Sequence, residues 1–187
     1  MNRTARLFPI GLMLGMGLLA FWLNVLTQWR APEQRPKNPN EPEYTVEQLT
    51  ATRFDERGEL QQRLVTSKMW KLPEQEQVYL QQMDVKQYRA GTLDYQLKSD
   101  RGVYNRTSGD GQFDGNVNLV RQATAEQRAV YLQTSTLQLN TQSGILRNKA
   151  PVAIDDGQSR IRATGFYYNH PAGQLKLLSD VRIFYAP

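Results

Sequence analysis

An all-β, antiparallel domain made of repeated hairpins, carried behind one apolar N-terminal helix, is the fold this sequence predicts. Three observations predict it. Between residues 44 and 187 apolar residues alternate with polar ones, as in Tyr95-Gln96-Leu97-Lys98, Val117-Asn118-Leu119 and Val181-Arg182-Ile183, and clusters of Gly, Asn and Asp separate the runs. No part of that region sustains the helical apolar period of about 3.6 residues; Val46 to Leu49 offers one short turn at most. Third, the chain repeats itself.

Sliding the sequence along itself, with Leu97, Leu132 and Ile161 as anchors, brings four offsets into register. Eight residues after the anchors stand Asn105, Asn140 and Asn169, and twelve after stand Gly109, Gly144 and Gly173. Twenty after stand Val117, Val152 and Val181, and twenty-two after stand Leu119, Ile154 and Ile183. The unit reads as a strand that ends at the Asn, a Gly-bearing turn, and a second strand closing on Val-x-Leu or Val-x-Ile: a two-stranded hairpin. A blurred fourth copy starts at Leu64 and ends near Val85, without the turn glycine. Hairpins stacked in this way form a quasi-one-dimensional sheet with two open ends.

Two such sheets packed together have an inner face made by Leu97, Val117, Leu119, Leu132, Leu139, Val152, Ile154, Ile161, Tyr168, Leu175, Leu177, Val181 and Ile183, and the same alternation adds Phe166. A stripe of this kind is by default a core. Only a gap between the sheets turns it into a path for an apolar ligand. The last strand, Val181 to Tyr185, has only Ala186 and Pro187 after it in this sequence and is expected to be an open, pairable sheet edge.

Ahead of the domain, Leu7 to Leu26 form a run of 20 residues without a charge. As a helix that run spans roughly 30 Å, the hydrocarbon thickness of a bilayer. A cleaved signal peptide needs small residues after a shorter apolar run, whereas Phe21-Trp22-Leu23-Asn24-Val25-Leu26-Thr27-Gln28-Trp29 is bulky and its tryptophans suit a membrane interface. A retained transmembrane helix is the reading. Arg3 and Arg6 put the N-terminus on the cytoplasmic side. Pro32, Pro36, Pro39 and Pro42 then make an extended spacer with nothing apolar to bury. The predicted organisation is a cytoplasmic tail 1–6, a transmembrane helix 7–26, a Pro-rich linker 27–43 on the far side, and a β-domain 44–187.

Composition excludes several function classes. Without cysteine there is no disulfide, thiol nucleophile or thiolate metal site. The formal net charge of +5 for the whole chain falls to +3 over residues 44–187, where 18 Lys and Arg and 15 Asp and Glu are scattered without runs of one sign. That is a solvated surface rather than a nucleic-acid footprint. The single histidine, His170, sits in Tyr168-Asn169-His170-Pro171 at a predicted turn, without the partners that catalysis or zinc requires. Ser108 to Asn116 resembles a calcium loop only superficially: it lacks the ligand spacing, and its Gly109 is the repeat's turn glycine. Asn105-Arg106-Thr107 matches a glycosylation acceptor weakly, and no phosphate-binding Gly-Lys-Ser/Thr loop is present. No catalytic residue, metal ligand or cofactor is expected, so any work done here is powered by another subunit.

The order of these features resembles the LptC family of lipopolysaccharide export proteins over nearly the whole chain. The resemblance rests on the short tail, one apolar span and linker, and on repeated hairpins containing Gly115-Asn116-Val117. The Phe54-Asp55-Glu56-Arg57-Gly58-Glu59-Leu60 turn, the Leu97-to-Leu119 repeat and the Val181-Arg182-Ile183-Phe184-Tyr185 ending match most closely. It implies a twisted β-jellyroll shared with the soluble bridge protein LptA and with periplasmic domains of LptF and LptG, docked end to end into one apolar slide. It implies an inner-membrane anchor beside the ATP-driven extractor of LptB, LptF and LptG, a periplasmic domain, and no enzymatic activity. On that implication lipopolysaccharide is carried by Leu97, Val117, Leu119, Leu132, Leu139, Val152, Ile154, Ile161, Phe166, Tyr168, Leu177, Val181 and Ile183. LptA is met by the edge residues Val181, Ile183, Phe184 and Tyr185. Two departures from the pattern are the blurred first repeat and an ending two residues after Tyr185.

Overall fold

The computed structural model describes residues 16–25, 40–125 and 127–185. The chain divides into two compact units, Met1–Lys37 and Asn38–Pro187. In the first, residues 16–25 are helical, with Met16, Leu18, Leu19, Phe21, Trp22 and Leu23 exposed. Among the described residues no helix is long and apolar enough to cross a membrane. The expected tail 1–6, residues 7–15 and 26 of the expected span, and residues 27–39 of the linker lie outside the described residues.

The second unit is an antiparallel sheet of nine strands among the described residues, hydrogen-bonded in sequence order. The strands are β1 (Tyr44–Phe54), β2 (Leu60–Lys71), β3 (Gln77–Arg89), β4 (Thr92–Asn105), β5 (Asp110–Arg121), β6 (Val130–Asn140), β7 (Ile145–Asp155), β8 (Ser159–Asn169) and β9 (Gln174–Tyr185). Val46 to Leu49, read as at most a helical turn, lies inside β1. There Gln48 takes a positive φ of 52° as part of a bulge line.

The repeat has a direct structural meaning. Strands β4, β6 and β8 end at Asn105, Asn140 and Asn169, and each anchor pairs across its hairpin with the residue twenty-two places on: Leu97 with Leu119, Leu132 with Ile154, and Ile161 with Ile183. The blurred copy pairs Leu64 with Val85. Each asparagine organises its turn through Oδ1, which accepts from Thr107 and Ser108 N–H at Asn105, from Gln142 and Ser143 N–H at Asn140, and from Ala172 N–H at Asn169. Gly109 and Gly144 follow at φ +74° and +67°, a conformation that L side chains adopt only with strain. These turns then stack, because Thr141 N–H donates to Gly109 O at 2.9 Å and His170 N–H to Gly144 O at 3.1 Å.

Each strand is interrupted near its middle. Pairing skips Gln48 with Ser67, Ser67 with Gln82 and Gln82 with Asp100. Further along, the register shifts between Lys98 and Arg101, Asp114 and Val117, Thr134 and Gln138, Asn148 and Pro151, and Arg162 and Thr164. This line of bulges crosses the sheet and flips the alternation: Leu80 and Met83, Leu97 and Gly102, Leu132 and Leu137, and Ala163 and Phe166 are all buried although the members of each pair stand an odd number of positions apart, which regular alternation would put on opposite faces. Side chains of the two strand halves thereby join one core, built on Leu80, Met83, Leu97, Phe113, Val117, Leu132, Leu137, Val152, Ile154, Ala163 and Phe166. Buried polar side chains take up carbonyls freed along the line. Thr66 Oγ1 donates to Gln81 O (2.6 Å) and Lys68 O (3.0 Å), Ser99 Oγ to Arg101 O (3.0 Å), and Asn148 Nδ2 to Thr136 O (3.0 Å). Room for the Phe113 ring comes from glycine, since a Cβ on Gly111 would stand 2.8 Å from its Cζ and one on Gly102 3.2 Å from its Cδ1.

Candidate functional site

On one side of the bulge line, cross-strand pairing strings a single aliphatic row through all nine strands: Ala51, Leu64, Val85, Leu97, Leu119, Leu132, Ile154, Ile161 and Ile183. On the other side, a second row runs Val78, Tyr104, Gly111, Leu139, Leu146, Tyr168 and Leu175. Between the rows lies a cavity of about 770 Å³, lined by Val85, Leu97, Leu119, Val130, Leu132 and Ile154 from the first half and by Leu139, Leu146, Phe166, Tyr168 and Leu175 from the second. The volume falls within the range of small-molecule sites.

The residues expected to face inward divide into four groups. Leu97, Leu119, Leu132, Leu139, Ile154, Phe166, Tyr168 and Leu175 line the cavity. Val117 and Val152 are sealed in the core, 1% and 3% exposed, and hold the halves together without reaching the cavity. Ile161 and Leu177 are half-buried and pack against the core. Val181 and Ile183 keep the inward phase but are exposed, as are Phe184 and Tyr185, because β9 pairs only with β8 and has no neighbour on its other side among the described residues. Strand β1 is the opposite edge.

Sequence reasoning missed the polar lip of the cavity. Beyond the aliphatic row the next paired row reads Gln62, Gln87, Tyr95, Arg121 and Val130. His170, at the stacked turns, also lines the cavity, and its ring meets Tyr95 edge-on with centroids 6.1 Å apart. Burial pushes the Tyr95 hydroxyl up from its ordinary pKa, and the neighbouring Asp94 charge adds to this, so Tyr95 is a neutral hydrogen-bonding group near pH 7. The stripe period and the two-residue step from Leu119 to Arg121 carried the signal; an arginine at a strand end reads as a surface charge when taken alone.

The segment that resembles a calcium loop is occupied by turn chemistry. Asn140 Nδ2 donates to the Asp110 carboxylate at 2.8 Å, which with the Ser108 contact holds that carboxyl below its usual range. Among the described residues no group of carboxylates and imidazoles is placed to hold a metal ion.

Residues 10–186 match the family model described as lipopolysaccharide-assembly, LptC-related. The chain belongs to the LptC family. LptC membership gives it a role in lipopolysaccharide transport. No curated protein matches the chain. Among solved structures the chain is similar to LptH of Pseudomonas aeruginosa, described as the LptA-homologous periplasmic component of the lipopolysaccharide transport device. That likeness has a TM-score of 0.52 at 7% identity and covers 81% of this chain and 100% of LptH. At that identity it establishes an LptA-like fold for this LptC-family chain.

Proposed function

We propose that the cavity between the two rows is a lipopolysaccharide groove, and that the chain takes the lipid from an inner-membrane extractor of LptB, LptF and LptG and passes it to LptA. The supporting observation is the unbroken aliphatic row from β1 to β9, bordering a cavity that the core leaves open. Each acyl methylene left in water costs about 0.8 kcal/mol, so crossing an aqueous space unassisted is prohibitive, and a covered apolar path removes most of that barrier. A row of interchangeable aliphatic contacts also has no single site tight enough to stop movement.

In this reading residues 1–6 are cytoplasmic, 7–26 span the inner membrane, 27–43 are the spacer, and 44–187 are a periplasmic jellyroll. The exposed β9 edge is the outward junction: main-chain groups pair with a strand of LptA, and Ile183 and Tyr185 add specificity.

Photoreactive residues at Leu97, Leu139 or Phe166 in living cells are expected to capture lipopolysaccharide, while Lys98 and Asn118, on the opposite face, stay silent. Equal labelling of both faces sinks the groove and leaves a scaffold that binds only proteins. Proline at Arg182 or Phe184 is expected to abolish capture of purified LptA while sparing association with the membrane complex.

A further inference from the structure

The apolar lining ends on the row Gln62, Gln87, Tyr95, Arg121 and Val130, so the one cation with inward phase at that lip is Arg121. Its guanidinium is only partly committed. Nη2 donates to Arg128 O at 3.2 Å, but Nε is buried without a hydrogen-bond partner among the described residues. An uncompensated N–H of a charged group in an apolar site is costly, and an anion arriving there removes that cost. The other cation of the lining, Arg89, is already paired with Asp94 at 3.0 Å, whereas Arg121 forms no ion pair among the described residues. Tyr95 lies directly across the β4–β5 ladder from Arg121, and the His170 ring packs against Tyr95 and against Tyr168.

We propose that Arg121 receives the phosphate of an amphiphile whose acyl chains lie on the Leu97, Leu119, Leu132 and Ile154 row. The inference rests on the groove reading and adds the chemistry of the headgroup. A guanidinium presents planar donors that match phosphate oxygens. The Tyr95 hydroxyl and the His170 imidazole border the same mouth and place further hydrogen-bonding groups beside it. The lip then fixes which end of the lipid points outward while the aliphatic row holds the chains without specificity. The polar end is read at a single place, Arg121, and the rest of the path stays indifferent to it.

The test compares bisphosphorylated lipid A with the same lipid stripped of both phosphates, bound to the full chain in detergent. The native chain is expected to prefer the phosphorylated lipid by at least about tenfold. Arg121→Gln loses that preference while keeping its affinity for the stripped lipid, and Arg121→Lys, a point charge without the fork, keeps part of it. Should Arg121→Gln fail to fold, Arg121→Lys decides alone. A preference undiminished in the variants overturns the assignment and leaves the groove standing, whereas a native chain that binds neither lipid overturns both. Inorganic phosphate is the remaining arm: it is expected to bind only weakly and without saturation, and saturable binding that Arg121→Gln abolishes with no change in lipid preference reassigns the site to the free anion.

Discussion

Replacing Gly109 by alanine separates the strain of one turn from the energy of stacking turns on one another. Gly109 has φ +74°, and a left-handed non-glycine residue costs roughly 1–2 kcal/mol. Loss of freedom in the unfolded chain returns about 0.4–1 kcal/mol of that. The added Cβ also stands 2.7 Å from Thr141 Oγ1 and 2.8 Å from Gln142 Cγ. Both belong to the next turn, where Thr141 donates through N–H (2.9 Å) and Oγ1 (3.0 Å) to Gly109 O. Disturbing two such bonds adds about 1–2 kcal/mol, giving a total of roughly 1.5–3 kcal/mol. Gly173 is the matched control: its φ is +64° and nothing lies within 4 Å of a Cβ there, so Gly173→Ala is expected to cost only about 0.5–1 kcal/mol. In urea unfolding followed by far-UV circular dichroism, the midpoint should fall by about 1 M for Gly109→Ala and by less than half that for Gly173→Ala. Equal losses at the two positions refute the claim that the stacked turns stabilise one another.

The Leu72–Gln75 turn of the blurred repeat lacks the glycine, and Glu74 takes φ +60° in its vicinity; Glu74→Gly is expected to raise the urea midpoint slightly, by up to about 1 kcal/mol in stability, and a loss there argues against strain. The second expectation concerns pH. Backbone N–H bonds from Ser159 and Gln158 hold the Asp156 carboxyl below its ordinary value of 3.8, so the stability it contributes is present above that value and is lost as pH falls through the depressed one. Thermal unfolding of Asp156→Asn should lose less on going from pH 5 to about pH 2 than the native chain does, and parallel curves would exclude this turn from the acid response.

The hairpin units were legible because the repeat places an asparagine, a glycine and a cross-strand aliphatic pair at fixed spacings, and each has a local cause: turn hydrogen bonds, positive φ and ladder register. The bulge line was not legible. Leu80, Phe113 and Leu137 belong to the core, yet alternation extended from Leu97 or Leu132 through the strand puts the far half of β4 or β6 on the wrong face once the phase has flipped. Thr66, Ser99 and Asn148 are polar yet buried, because their side chains satisfy carbonyls at that line, a role that no local pattern marks. Val181 and Ile183 have the pattern of a core strand, and their exposure depends on the absence of a tenth strand among the described residues, which local pattern does not encode.

Because every strand pairs only with its neighbours in the chain, no segment has to wait for a distant one to be made. Loop closure costs the least entropy for such local pairings, and they set the fastest folding rates available to β-proteins. As the polypeptide emerges N-terminus first, β1 and β2 can close, then β3 can add to them, and each later strand finds its template already in place. At any moment the growing sheet exposes one unfinished edge on the side of synthesis, and the next few residues to appear are the ones that cover it. Assembly by accretion suits a chain that has to become ordered while it is still being delivered, and it makes the last strand added the one most recently exposed to any other partner.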